Sequence, residues 1–136
     1  MRDFQSSLVY AYWIFFGIAI VALIASVGLF LMLSAVVVLP VLFVHLTVGF
    51  RLALLKRKVV LVLCSVINLL LFALVRPDGV HVINQSGLTE LLDLVDVHFR
   101  FHSEHEGLFT FLALILFVIQ VVLELVLLYS SRRARH

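Results

Sequence analysis

The chain has one cysteine, two prolines, one tryptophan and few charges, and each scarcity closes off a class of protein. A lone Cys64 excludes an internal disulfide and a multi-cysteine metal site. Set in an apolar run, it is expected to be a buried, inert thiol. Charged residues make up 13% of the 136 positions against 64% hydrophobic, with a mean hydropathy of +1.22, which lies outside the range of soluble globular domains. The formal net charge of +2 is too small, and its cations too scattered, for a nucleic-acid partner. Catalytic signatures are missing as well: there is no serine-centred elbow, no H-E-x-x-H, no phosphate loop and no cysteine pair. No enzyme activity and no cofactor are therefore expected. The first apolar run is far longer than the core of a secretory signal, and neither end carries a lipidation motif, so the N-terminal segment is expected to remain as a membrane span.

What the chain does have is apolar length. From Leu8 to Leu55 only Arg51 carries a formal charge, and one helix of that extent would be about 70 Å long, more than twice the hydrocarbon thickness. The segment must fold back once. Gly28, Ser34 and Pro40 are its only punctuation, which predicts a turn between about Phe30 and Ala35 with Pro40 in the first turns of the second span; a turn nearer Pro40 is the alternative. Val59 to Val75 reads as a third span, ended by Arg76-Pro77-Asp78-Gly79. Leu108 to Tyr129 reads as a fourth. The expected fold is thus an all-α integral membrane protein, a four-transmembrane-helix bundle forming one domain over 1–136. Its spans lie at about 8–30, 35–55, 59–75 and 108–129, with an outer loop at 76–107.

Orientation follows from the cations. Lys56, Arg57 and Lys58 fall between spans two and three, and Arg132, Arg133 and Arg135 follow span four. Four spans put all six on one side, with Arg2, and leave the acidic loop on the other. By the positive-inside rule both termini are expected in the cytoplasm and loop 76–107 outside. The pattern suits a bacterial inner membrane, and it serves a eukaryotic membrane equally. Tyr10, Tyr12 and Trp13 near the start of span one are expected as interfacial anchors. The pairs Ala22/Ser26 and Gly49/Ala53 have the small-xxx-small spacing that lets helices approach closely.

In the outer loop, Leu88, Leu91, Leu92 and Val95 recur at i, i+3, i+4 and i+7, predicting one short amphipathic helix with Ser86 as its N-cap. If that helix continued, His98, His102 and His105 would share a face, a possible facial metal arrangement. The alternation in Val97-His98-Phe99-Arg100-Phe101-His102 argues instead for an extended piece and a solvated, histidine-rich loop without metal. A pH-sensitive loop is a middle reading.

The functional candidates are the polar residues at membrane depth, which are expensive there and face a partner or a cavity. Counted at about 1.5 Å per residue from the cytoplasmic ends, Arg51 and Glu124 come about 6 and 7 Å deep, and His45, Asn68 and Gln120 about 13 to 15 Å. Two levels are predicted. The shallower offers an Arg51–Glu124 ion pair, against the alternative that Arg51 snorkels and Glu124 is protonated or pairs with the tail. The deeper offers a hydrogen-bonded layer of His45, Asn68 and Gln120, with Gln120 and Glu124 at i, i+4 on one groove. Two functions fit. One is a non-catalytic interaction or accessory subunit, an assembly, inhibitory or immunity-type partner of another membrane component. The other is a small oligomeric transporter or channel with a polar path through His45, Gln120 and Glu124. The expected partners are the lipid bilayer and a membrane protein or further copies of the chain.

Overall fold

The structure, a computed structural model, describes residues 2–25, 29–76, 88, 95, 96 and 106–133. Four helices carry the chain: α1 (Arg2–Ala25), α2 (Leu29–Phe50), α3 (Val59–Val75) and α4 (Glu106–Arg133), with a 3-10 segment, Leu52–Lys58, between α2 and α3. No strand occurs among the described residues. Two of the helices, over Ser6–Ala25 and Gly107–Arg133, are long and apolar enough to cross a membrane.

The second helix departs from the sequence reading at both ends. It is already helical at Leu29, so no turn falls between Phe30 and Ala35. Residues 30–35 are mostly Leu, Met and Ala, which favour helix. Pro40 consequently lies well inside α2. It has no N–H to donate to the carbonyl of Val36, but both residues are exposed, so the gap falls on the outer face. At its other end α2 stops at Phe50 rather than Leu55. Arg51 leads a turn, its N–H bonded to the Val48 carbonyl at 2.9 Å, and the chain bends again at Leu55 (φ −101°, ψ 19°). Leu52 and Leu55 are buried while Ala53, Leu54 and Lys58 are exposed, so the 3-10 segment keeps one apolar edge inward.

The third helix is the centre of the bundle. Its buried residues Val62, Ser65, Val66, Asn68, Leu69, Phe72 and Ala73 recur at spacings of three and four, the stripe of a helix packed along one face. It ends at Arg76, which precedes Pro77 and takes the extended ψ (119°) that a following proline imposes. The packing runs around the bundle as α1–α3–α4–α2, with α3 seated against both α1 and α4, α2 against α4, and only a small contact closing α2 on α1. That small contact is tight. Gly49 is buried against α1, where an added Cβ would stand 2.8 Å from Tyr12 Cε1 and 3.0 Å from the ring of Trp13. Glycine is required there because the α1 aromatics occupy the space of a side chain. Its expected companion in the small-residue pattern, Ala53, is exposed.

Two apolar clusters fill the interior. One holds Ala19, Ala22, Leu23, Val38, Leu69, Phe72, Ala73 and Ala113. The other holds Tyr12, Val48, Leu52, Leu55, Val62, Val66 and Leu127. On α2, α3 and α4 the residues between these clusters are polar, so a hydrophilic layer is enclosed from above and below.

Three sequence expectations fail on particular side chains. Cys64 is exposed, because it lies off the stripe set by Val62, Ser65 and Val66. Tyr12 is fully buried and works in the core, leaving Tyr10 exposed and Trp13 part-buried in an aromatic group with Phe16 and Phe50. In the 76–107 region Leu88 is helical, but Val95, placed by its spacing on the apolar face, is 66% exposed and Asp96 has φ 61°. A residue in the left-handed region cannot sit inside an α-helix, so a helix through Leu88 cannot run on through Asp96. The three loop histidines lie beyond that point, outside the described residues. The rest of the predicted amphipathic helix, including Leu91 and Leu92, lies outside the described residues.

Candidate functional site, a buried polar layer

The layer is built from three helices. α2 supplies His45, α3 supplies Ser65 and Asn68, and α4 supplies Gln120 and Glu124. His45, Ser65 and Gln120 are fully buried, Glu124 is 2% exposed and Asn68 8%. Each side chain reaches the layer for a local reason. Ser65 and Asn68 are three residues apart on the buried stripe of α3, and Gln120 and Glu124 are four apart on α4, so each pair shares a face.

The hydrogen bonds form a directed chain. Asn68 Nδ2 donates to the Leu116 carbonyl at 2.8 Å and to Gln120 Oε1 at 2.9 Å. Gln120 Nε2 in turn donates to Glu124 Oε1 at 2.8 Å and to Ser65 Oγ at 3.1 Å. Ser65 Oγ donates its own proton to Glu124 Oε1 at 2.7 Å. The imidazole of His45 completes the set, its Nδ1–H donating to the same Oε1. With Glu124 as a carboxylate and the His45 proton on Nδ1, that oxygen accepts all three bonds. One oxygen of Glu124 is therefore the common terminus of donors from α2, α3 and α4.

A wall of aromatics closes the α1 side. The Tyr12 ring stacks on His45 with centroids 4.8 Å apart and planes 12° from parallel, and its hydroxyl donates to the His45 carbonyl at 2.8 Å. Phe16 also lies against the imidazole, 5.0 Å away. The accounting is complete except at two atoms. His45 Nε2 and Glu124 Oε2 are buried and have no hydrogen-bond partner among the described residues.

The predicted two levels merge into one. Glu124 takes His45 and not Arg51 as its partner among the described residues. The physical reason is the early end of α2: with the helix stopping at Phe50, Arg51 falls in the turn and is only half-buried. His45 is then five residues, about 7.5 Å, from the helix end, level with Glu124 instead of a full turn and a half deeper. Asn68 and Gln120 are hydrogen-bonded to each other as the depth count placed them, and Glu124 is drawn into their layer through Gln120. Ser65 and Tyr12 are the members the sequence reading passed over. Ser65 was detectable, since it lies one turn before Asn68; Tyr12 was masked by its place among interfacial aromatics. Arg76, read as the start of the outer loop, is fully buried at the end of α3.

Among the described residues no group of histidine, cysteine, aspartate and glutamate is arranged to hold a metal ion. The loop candidates His98, His102 and His105 lie outside the described residues. The layer itself offers hydrogen-bond donors converging on one carboxylate and an imidazole in contact with it. Comparison with models of protein families, with curated proteins and with solved structures finds no match to this chain.

Proposed function

We propose that the chain is a small four-span membrane protein that acts as a non-catalytic interaction or accessory subunit of another membrane component. The observation that carries the membrane reading is where the apolar surface lies. In the two long helices only 28% and 22% of the most apolar windows is buried, which is unlike the core helix of a soluble protein. The two shorter helices share the character: α2 exposes Val36 and Phe43 at 81% and 70%, and α3 exposes Val60 at 74%. Exposed aliphatic faces on all four helices around an interior that holds the buried polar layer are the arrangement of a bundle surrounded by lipid. A 17-residue α3 is at the short end for a span, and bilayers adapt to such a mismatch. The cations of the 3-10 segment and of the α4 end support cytoplasmic termini with residues 76–107 outside.

Cys64 tests the third span. It faces outward about 7.5 Å along α3 from Val59. In sealed membranes it is expected to react with an apolar maleimide and to resist a charged one until detergent is added. Rapid labelling by the charged reagent on intact membranes would remove α3 from the bilayer.

The interaction reading is supported by the closed character of the polar layer, whose members bond chiefly to one another. Such a layer fixes which helix faces pack together and leaves the outer faces for partners. Tagged protein purified from its own membranes in mild detergent is expected to carry a second protein at constant stoichiometry across independent preparations. A homogeneous homo-oligomer that conducts ions or solute in liposomes would replace this reading with that of a transporter.

A further inference from the structure

We propose that His45 and Glu124 form a buried site for a single exchangeable proton, loaded and unloaded at Glu124 Oε2 and His45 Nε2. The inference goes beyond the interaction reading and does not rest on it. Its basis is how the hydrogen bonds are distributed over the pair. Glu124 Oε1 accepts from His45 Nδ1, Ser65 Oγ and Gln120 Nε2, while Oε2 is buried and accepts from nothing among the described residues. His45 divides in the same way, with Nδ1 engaged and Nε2 buried without a partner.

The atoms that hold the bundle together are thus separate from the atoms free to take a proton. A proton passed from hydronium to Oε2 turns the carboxylate into a neutral acid and releases water. The three donors to Oε1 keep their acceptor. A proton placed on Nε2 turns imidazole into imidazolium, and the Nδ1–H bond to Oε1 is again kept. A site meant only to lock helices would gain by engaging both oxygens, since an idle buried acceptor costs free energy. The groups facing the pair are Tyr12 and Phe16 from α1, Ser65 from α3, and Gln120 from α4. Tyr12 is the only further titratable group among these, and its hydroxyl proton is committed to the His45 carbonyl.

The molecule carries its own probe. Trp13 is the single tryptophan, and its ring lies 5.7 Å from Tyr12, which stacks directly on His45. Trp13 emission from the purified full-length protein, titrated in detergent or in vesicles, is expected to show a single pH-dependent step. Glu124→Gln and His45→Gln are each expected to abolish that step with helical circular dichroism retained. Ser65→Ala removes one donor to Oε1 and leaves both proton-holding atoms, so it keeps the test decisive where the other variants do not fold. With that donor gone, the midpoint of the step is expected to shift. A flat titration of the unmodified protein overturns the proposal. So does a step whose midpoint is the same in Ser65→Ala, or one that persists unchanged in folded Glu124→Gln.

Discussion

Replacing Glu124 with alanine is expected to destabilise the folded bundle by about 3–5 kcal/mol, the loss typical of removing one partner from a buried pair. The figure is large because the carboxylate serves three helices at once. Its removal leaves the donors of His45, Ser65 and Gln120 without their common acceptor inside a space closed by apolar clusters. Each unsatisfied buried group costs about 1–3 kcal/mol, and the three cannot all find water there. Interhelical hydrogen bonds in membrane proteins taken singly average about 0.6 kcal/mol, so a loss of that size would mean that the layer is a set of independent contacts. The measurement is reversible unfolding in mixed micelles, with His45→Leu/Glu124→Leu as the control. Exchanging both members of the pair for apolar side chains is expected to recover the part of the loss that the His45 donor causes, while the donors of Ser65 and Gln120 stay unmet. A double variant no better than Glu124→Ala would show that His45 is not the principal partner.

Gly49→Ala is expected to cost about 1–3 kcal/mol, although the same substitution at an ordinary helix position stabilises. The new methyl would meet Tyr12 Cε1 at 2.8 Å and Trp13 at 3.0 Å. Rings at the end of mobile side chains can swing away from such a contact. Tyr12 cannot do so cheaply, since it is stacked on His45 and bonded through its hydroxyl to the His45 carbonyl. The strain therefore passes into the polar layer. Gly17 supplies the comparison: no atom lies within 4 Å of the place its methyl would take, and Gly17→Ala is expected to add about 0.5–1 kcal/mol through helix propensity alone. Equal effects of the two substitutions on thermal unfolding would show that the α1–α2 approach is not tight.

The residues of the site were legible for a simple reason: a histidine, an asparagine, a glutamine and a glutamate stand out in apolar helices, where each is costly. How they pair was much less so. Pairing depends on the axial register of helices remote in sequence, and that register turned on where α2 ends. Nothing between Gly49 and Leu55 marks Phe50 as the last helical residue, because Leu52 and Leu55 continue the apolar pattern in a 3-10 geometry that reads like more α-helix. Misplacing the end of α2 from Phe50 to Leu55 moved Arg51 into the site and His45 away from Glu124. The direction in which a residue faces was legible only where the periodicity is strong. On α3 the stripe through Val62 and Leu69 places Ser65 inside and Cys64 outside, yet a serine and a cysteine are too common in apolar helices to attract notice. The helical class was plain from apolar run lengths, whereas the α1–α3–α4–α2 order arises from side-chain fit that run lengths do not encode.

That order has a consequence for how the chain is made. Since α1 finds its main neighbour in α3 and His45 finds its partner 79 residues later on α4, the first two helices are made with only their small mutual contact in place. At about 5–20 residues per second, about 4–16 seconds separate the synthesis of His45 from that of Glu124. A nascent chain halted before α4 therefore leaves an imidazole without the carboxylate that the finished chain supplies.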